Sequence, residues 1–193
     1  MPSVYALKPA FQNWLLPAVK WLAERGVTPN QVTIAGGVAS VLVGCDLIAG
    51  SRTWLLLPLF LPVRMALNAM DGMLAKERRM RTRTGAILNE GLDLVSDAAL
   101  TLPFVAVPGL SAGTVWLCIV AAALAEVAGF ARAGARRYEG PFGKSDRAVA
   151  LGVAGGWLGL AWPVAGWAGW LPWVWILLCM VTIANRLRPV RGS

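Results

Sequence analysis

The sequence predicts an all-α integral membrane protein, with six transmembrane helices preceded by an amphipathic interfacial helix and both termini cytoplasmic. Its 193 residues are 57% hydrophobic and their mean hydropathy is +0.60, an excess that a soluble domain of this size does not need. The apolar residues gather in stretches close to the ~20 residues with which a helix spans a bilayer. The 18 Lys and Arg alternate between rich and poor along the turns separating those stretches, as cytoplasmic and external loops do. The chain reads as one membrane domain, an interfacial helix over 4–25 followed by a six-helix bundle over 28–193, with no linker, repeat or low-complexity tract.

At the N-terminus, Leu7, Phe11, Trp14, Leu15, Ala18 and Leu22 fall on one helical stripe, with Gln12, Asn13, Lys20 and Glu24 opposite. That pattern suits a helix lying on the cytoplasmic face of the membrane, kinked at Pro17. No apolar core with a small-residue cleavage site follows the start, so a signal peptide is not expected. "GVTPNQ", Gly26 to Gln31, separates this helix from the first span, and Pro29 suits a helix start. The spans are expected at roughly 28–50, 53–75, 85–108, 112–134, 147–165 and 169–186. "VPGLSAG" and "WPVAGWAG" form short external turns, and "YEGPFGKSDRA" the longest cytoplasmic one. Gly152, Gly155, Gly156 and Gly159 make overlapping GxxxG steps on the fifth span. Such steps let helices approach closely within a bundle, and they also permit a homodimer.

The basic residues set the orientation. Lys8, Lys20 and Arg25 precede the first span; Lys76, Arg78, Arg79, Arg81 and Arg83 follow the second; Arg132, Arg136, Arg137, Lys144 and Arg147 border the turn between the fourth and fifth; Arg186, Arg188 and Arg191 end the chain. The other three turns hold only Arg52, which places both termini in the cytoplasm. The net charge of +8 is read as topogenic charge and attraction to membrane lipid headgroups, with no nucleic acid as partner. Trp162, Trp167, Trp170 and Trp173 gather at the last external turn, where an aromatic belt sits, although core packing explains such residues equally well. Cys45, Cys118 and Cys179 lie in apolar spans without a CxxC pair, so neither a disulfide framework nor a zinc site is indicated. The absence of His excludes a Ser-His hydrolase and a His-dependent metalloprotease.

Ionisable groups within a bilayer are costly unless they meet a partner or a wet cavity, and one stretch concentrates them. Between Ala66 and Asp97, Asn68 and Asp71 are three apart on the second span, while Asn89, Asp93 and Asp97 are spaced by four on the third. Each set shares a helix face. The spans are consecutive and antiparallel, and Asp71 and Asn89 each lie five residues from the basic turn, ~7.5 Å at a rise of ~1.5 Å per residue. The two polar faces therefore meet at similar depth near the cytoplasmic surface. Gly72, Gly85 and Gly91 lie beside them, where a missing side chain lets a helix or ligand approach. Oxygen donors without sulfur or imidazole suit a hard cation, Mg²⁺ or Mn²⁺, and hard cations suit phosphates.

The run Asp71-Gly72-x-x-Ala75-Lys76, eight residues, Gly85-x-x-x-Asn89-x-x-x-Asp93, with Asn68 three residues ahead of it, resembles the signature of the CDP-alcohol phosphotransferases, D-x-x-D-G-x-x-A-R-x8-G-x-x-x-D-x-x-x-D. Six spans, the amphipathic N-terminal helix and the "TPN" before the first span also resemble that family. The resemblance implies a transferase of phospholipid synthesis that displaces CMP from CDP-diacylglycerol, or another CDP-alcohol, with the hydroxyl of a small alcohol. It implies a bacterial inner-membrane location with the active site toward the cytoplasm. By position, Asn68, Asp71, Asn89 and Asp93 take the places of four metal-binding Asp, Asp71, Gly72, Ala75, Lys76 and Gly85 border the nucleotide, and Asp93 is the general base. The basic residues Arg132, Arg136, Lys144 and Arg147 resemble those that hold an acceptor's phosphate, which favours an anionic acceptor; topogenic charge is the other reading of each.

Three positions depart from the pattern. Asn68 and Asn89 replace Asp, lowering the ligand charge from four negatives to two, and Lys76 replaces Arg, losing the bidentate fork. One or two ions are therefore both consistent with the residues. Asp97 adds a carboxylate one turn beyond Asp93 and joins the metal candidates. Arg64, Asp46 and Glu126, also inside spans, are candidates for internal pairs or substrate contact. Two other functional classes stay open: a weakened relative that binds CDP-lipid or protein partners without turnover, from the reduced carboxylate count, and a small transporter, against which stands the lack of paired broken helices.

Overall fold

The computed structural model describes residues 8–49, 51–130, 137, 139–164 and 166–188. Among the described residues the regular elements are all helical: α1 Lys8–Glu24, α2 Pro29–Ala49, α3 Leu56–Glu77, α4 Arg83–Thr101, α5 Ala112–Ala128, α6 Lys144–Gly159 and α7 Leu171–Leu187. Short 3₁₀ turns at Ser51–Leu55, Leu102–Ala106 and Gly166–Trp170 lead into or out of them. Among the described residues, three segments are long and apolar enough to cross a membrane, Pro29–Ala49, Thr53–Glu77 and Ala168–Leu187, and Ala112–Ala128 is a shorter apolar helix.

Local chemistry marks where the helices begin and end. Gly26 at φ +76° closes α1, with the Val27 amide donating to the Leu22 carbonyl at 3.1 Å, a left-handed stop that glycine adopts at least cost. Thr28 and Gln31 then form a reciprocal capping box at the start of α2: Gln31 Oε1 accepts from the Thr28 amide at 2.8 Å, and Thr28 Oγ1 from the Gln31 amide at 3.3 Å. Pro29, at the first helical position, has no amide to leave unpaired. α3 ends in the same way as α1, although its left-handed residue is Arg79, φ +53°, with the Met80 amide donating to the Ala75 carbonyl at 3.0 Å. Thr82 caps α4 through the Gly85 amide at 3.0 Å.

The chain divides into two compact units, one formed by Met1–Leu42 and Pro62–Ser96, the other by Val43–Leu61 and Asp97–Ser193. In the first, Leu15 and Val19 of α1 pack with Val32 of α2 and Met70 and Leu74 of α3, with Phe11 and Leu22 against that cluster. The buried stripe is thus displaced from the one the sequence suggests, since Val19 joins it while Trp14 and Ala18 are exposed. Val19 is 1% exposed whereas Trp14 is 74% exposed, because the stripe runs through 11, 15, 19 and 22, and Trp14 lies on its flank. Trp14 and Trp21 remain outward, where amphipathic rings suit a membrane interface. The helix continues through Pro17, and Leu7 lies outside the described residues. Arg78, in the basic turn after α3, donates to the Ala23 carbonyl at 3.0 Å, satisfying the end of α1.

In the second unit, a Cβ at Gly44 of α2 would lie 2.3 Å from the carbonyl oxygen of Ala99 on α4, so only glycine permits that approach. The GxxxG face of α6 is likewise occupied within the chain, Gly155 against Leu57 and Gly159 against Leu55. Phe142 and Trp175 meet edge to face at 4.8 Å beside Cys179 of α7. A cavity of about 510 Å³ lies in this unit, with an almost wholly apolar lining that includes Phe104, Cys118, Leu151, Trp157 and Pro172.

Candidate active site

The polar faces of α3 and α4 meet. Asn68 and Asp71 project from one side of α3, Asn89 and Asp93 from one side of α4, and the pairs cross over. Asn68 Nδ2 donates to Asp93 Oδ1 at 2.9 Å, and Asn89 Nδ2 to Asp71 Oδ2 at 2.7 Å. An ionised carboxylate only accepts, so each amide presents its NH₂ to the opposing Asp and turns its carbonyl oxygen elsewhere. The interlock uses one residue of each type on each helix, which fixes the register of the two helices as well as their rotation.

Two further residues complete the cluster. Thr33 of α2 donates from Oγ1 to Asp71 Oδ2 at 2.8 Å, so Asp71, only 2% exposed, takes two donors on a single oxygen. Arg64, one turn before Asn68 and 3% exposed, donates to the main-chain carbonyl of Asp93 at 3.2 Å and lies 3.7 Å from Asp93 Oδ1. A buried guanidinium needs acceptors and counter-charge, and Asp93 supplies both. Sequence reasoning raised Arg64 without naming its partner, and it missed Thr33 altogether. A hydroxyl in an apolar helix carries no signal of its own, since its usual acceptor is the preceding turn.

The remaining candidates are dispersed. Asp97, four residues after Asp93 on α4, is bonded to Arg147 of α6, Oδ2 to Nη2 at 3.1 Å. Arg147, 2% exposed, also donates to Glu126 of α5 at 2.8 Å and to the Phe142 carbonyl at 3.4 Å. Arg186 of α7 lies 3.6 Å from the same Glu126 oxygen and donates to the Ala125 carbonyl. Glu126 thus does form an internal pair, while Asp46 sits exposed and its carbonyl accepts from Thr53 at 3.2 Å. Lys144 is half-buried at the start of α6, and Arg132 and Arg136 lie outside the described residues.

On the nucleotide side, Ala75 is half-buried and Lys76 exposed at the end of α3. A Cβ built at Gly72 or Gly91 would meet nothing within 4 Å, whereas one at Gly85 would crowd Thr82 and Asn30, at 3.0 and 3.1 Å. Packing within the chain therefore accounts for Gly85 and leaves Gly72 open to an external group. Among the described residues no three Asp, Glu, Cys or His gather as a metal cage. The cluster instead offers two carboxylates and two amides, an all-oxygen ligand set that fits a hard cation at half the charge of four carboxylates.

A family model described as CDP-alcohol phosphatidyltransferase matches residues 26–181. The chain is 43% identical to "Inner membrane protein YnbA" of Escherichia coli (strain K12) over 97% of its own length and 96% of that protein's. It is 28% identical to "Phosphatidylinositol phosphate synthase" of Mycobacteroides abscessus, covering 92% of this chain and 83% of the relative. The fold is that of the Mycobacterium tuberculosis phosphatidylinositol phosphate synthase solved in complex with manganese and citrate, with a TM-score of 0.70 at 24% identity over 89% of this chain and 86% of that one.

Proposed function

The chain belongs to the CDP-alcohol phosphatidyltransferase family, and from that premise we propose that it transfers the phosphatidyl group of CDP-diacylglycerol to a small anionic alcohol, releasing CMP. The enzyme class, a transferase of phospholipid synthesis working in a membrane, follows from the family. The observation that carries the residue assignment is the interlock of Asn68 with Asp93 and Asn89 with Asp71, since it gathers the four signature positions of two helices into one cluster.

In this reading Asp71 and Asp93 hold a divalent cation, Mg²⁺ or Mn²⁺, with the amide carbonyls of Asn68 and Asn89 as further oxygen donors nearby in sequence; Asp97, bonded to Arg147, is left out of the set. When bound, such an ion screens the diphosphate and polarises its bridging oxygen. The open backbone at Gly72, with Ala75, Lys76 and Gly85, borders the cytidine nucleotide. A carboxylate oxygen of Asp93 takes the proton of the acceptor hydroxyl as its oxygen attacks the lipid-linked phosphorus. The new P–O bond forms as the bond to the CMP oxygen breaks, and CMP departs with that electron pair. Arg64, beside Asp93, orients the carboxylate for this role. Lys144 is proposed to contact the acceptor's phosphate, with Arg132 and Arg136, outside the described residues, as further candidates, while Arg147 is held by Glu126 and Asp97; the phosphatidylinositol phosphate synthase relatives support that acceptor class by name.

The membrane arrangement proposed with it is six spans, both termini and the site on the cytoplasmic side, in the inner membrane of a bacterium, on the strength of the charge alternation and the E. coli relative's name. The deciding experiment supplies purified protein with radiolabelled CDP-diacylglycerol, Mg²⁺ or Mn²⁺, and a panel of free and phosphorylated alcohols. Release of CMP with a phosphorylated acceptor supports the proposal. Binding of CDP-diacylglycerol without CMP release from any acceptor would establish the second reading, a lipid-binding relative, which is favoured by the way both amides satisfy the carboxylates by themselves.

A further inference from the structure

Resting on the proposed metal-dependent reading, we infer that this site takes one divalent cation per chain, and that Asn68 and Asn89 stand in for the second. The inference starts from charge. Each Asn in place of Asp removes one negative charge, so the two together remove the charge that one divalent ion would balance. A single ion between Asp71 and Asp93 leaves the same local charge that two ions would leave among four carboxylates. Arg64, 3.7 Å from Asp93 Oδ1 and 3% exposed, already contributes a buried positive charge on the Asp93 side. A second divalent ion here would add charge that no residue of the cluster balances, at a depth where uncompensated charge is strongly disfavoured.

Geometry adds an independent reason. A second cation would have to draw its ligands from the positions of the missing Asp, facing Asp71 and Asp93. Asn68 and Asn89 present N–H groups there instead, 2.9 Å from Asp93 Oδ1 and 2.7 Å from Asp71 Oδ2. An N–H donor competes for the carboxylate oxygens that a second ion would need and repels the ion itself. For either Asn to ligate through its carbonyl on that side, its amide must turn over and give up its bond to the opposing Asp. Thr33, donating to the oxygen of Asp71 that Asn89 also binds, further occupies that oxygen. The amides thus hold α3 and α4 together by hydrogen bonds from neutral donors where a four-carboxylate cluster would need cations to bring like charges together.

The test counts ions directly. The purified full chain in detergent micelles is titrated with Mn²⁺ alone, and the electron paramagnetic resonance of unbound Mn²⁺ gives the number bound. One Mn²⁺ per wild-type chain, rising to two in the Asn68→Asp/Asn89→Asp variant, is the expected result. Two bound to the wild type would overturn the inference, and so would a folded double variant that still binds one. The wild-type count stands without any variant, and the single Asn89→Asp variant serves if the double one misfolds, with a tighter first site expected. Zero Mn²⁺ bound would overturn this inference together with the metal-dependent reading. One Mn²⁺ bound with no CMP release from any acceptor would uphold the stoichiometry and overturn only the transfer reaction.

Discussion

Asn89 of α4 donates its side-chain amide to Asp71 of α3 across 2.7 Å, at a place where the family signature has a carboxylate facing a carboxylate. A neutral donor joins helices that two like charges would push apart, so this pair holds α3 against α4 without an ion to offset repulsion. Asn89→Asp should reverse that. In EDTA the variant is expected to melt several degrees below wild type from like-charge repulsion, and in millimolar Mn²⁺ to recover or exceed it, because an ion binding only the folded state stabilises it by mass action. Thermal melts in the two buffers check the sign, and a variant whose melting temperature ignores Mn²⁺ would place Asn89 away from the ion.

Asp93→Asn keeps an oxygen that accepts from Asn68 or Arg64 while removing the basic carboxylate. CMP release is expected to fall by ~100-fold or more, the scale of a lost general base, together with a lowered melting temperature, because the buried Arg64 loses its counter-charge. Near-normal turnover would remove Asp93 from the role of base.

Gly72→Ala separates packing from ligand contact. The added Cβ meets nothing within 4 Å, and Ala in a helix interior is favoured over Gly by about 1 kcal/mol. Stability should rise slightly while affinity for CDP-diacylglycerol drops at least tenfold, as read by isothermal titration. An unchanged affinity would assign Gly72 no part in the nucleotide site.

Arg147 and Lys144 are expected to behave differently. Removing one member of a buried, bonded ion pair costs about 3–5 kcal/mol, so Arg147→Ala, which abandons Glu126 and Asp97, should unfold readily in a denaturant series. Lys144→Ala, half-buried at the helix start, should shift stability by under about 1 kcal/mol and raise the KM for a phosphorylated acceptor while leaving that for CDP-diacylglycerol unchanged. A KM unaffected in Lys144→Ala would identify its charge as topogenic alone.

Much of this architecture is a property of short stretches of chain and was legible as such. Apolar stretches at helical length mark the helices, "GVTPNQ" contains the residues of a capping box, and spacings of three and four put Asn68 with Asp71 and Asn89 with Asp93. Because α3 and α4 are consecutive and joined by a short basic turn, their polar faces had to meet at comparable depth, and that too follows from sequence distance. Trp14 shows the limit of the same logic: helical periodicity defines a stripe to within about one residue position, and the outward side of that tolerance is where the ring ended.

The sequence by itself determined that this is a helical membrane chain carrying a carboxylate and amide cluster beside a basic turn, since period, composition and spacing act over one or two helical turns. Tertiary structure alone decided the partners. Thr33 reaches Asp71 from 38 residues away, and Arg147 reaches Glu126 and Asp97 from 21 and 50. No local pattern encodes such pairs, because a buried charge or hydroxyl takes whichever complementary group the packing of helices brings within about 3 Å.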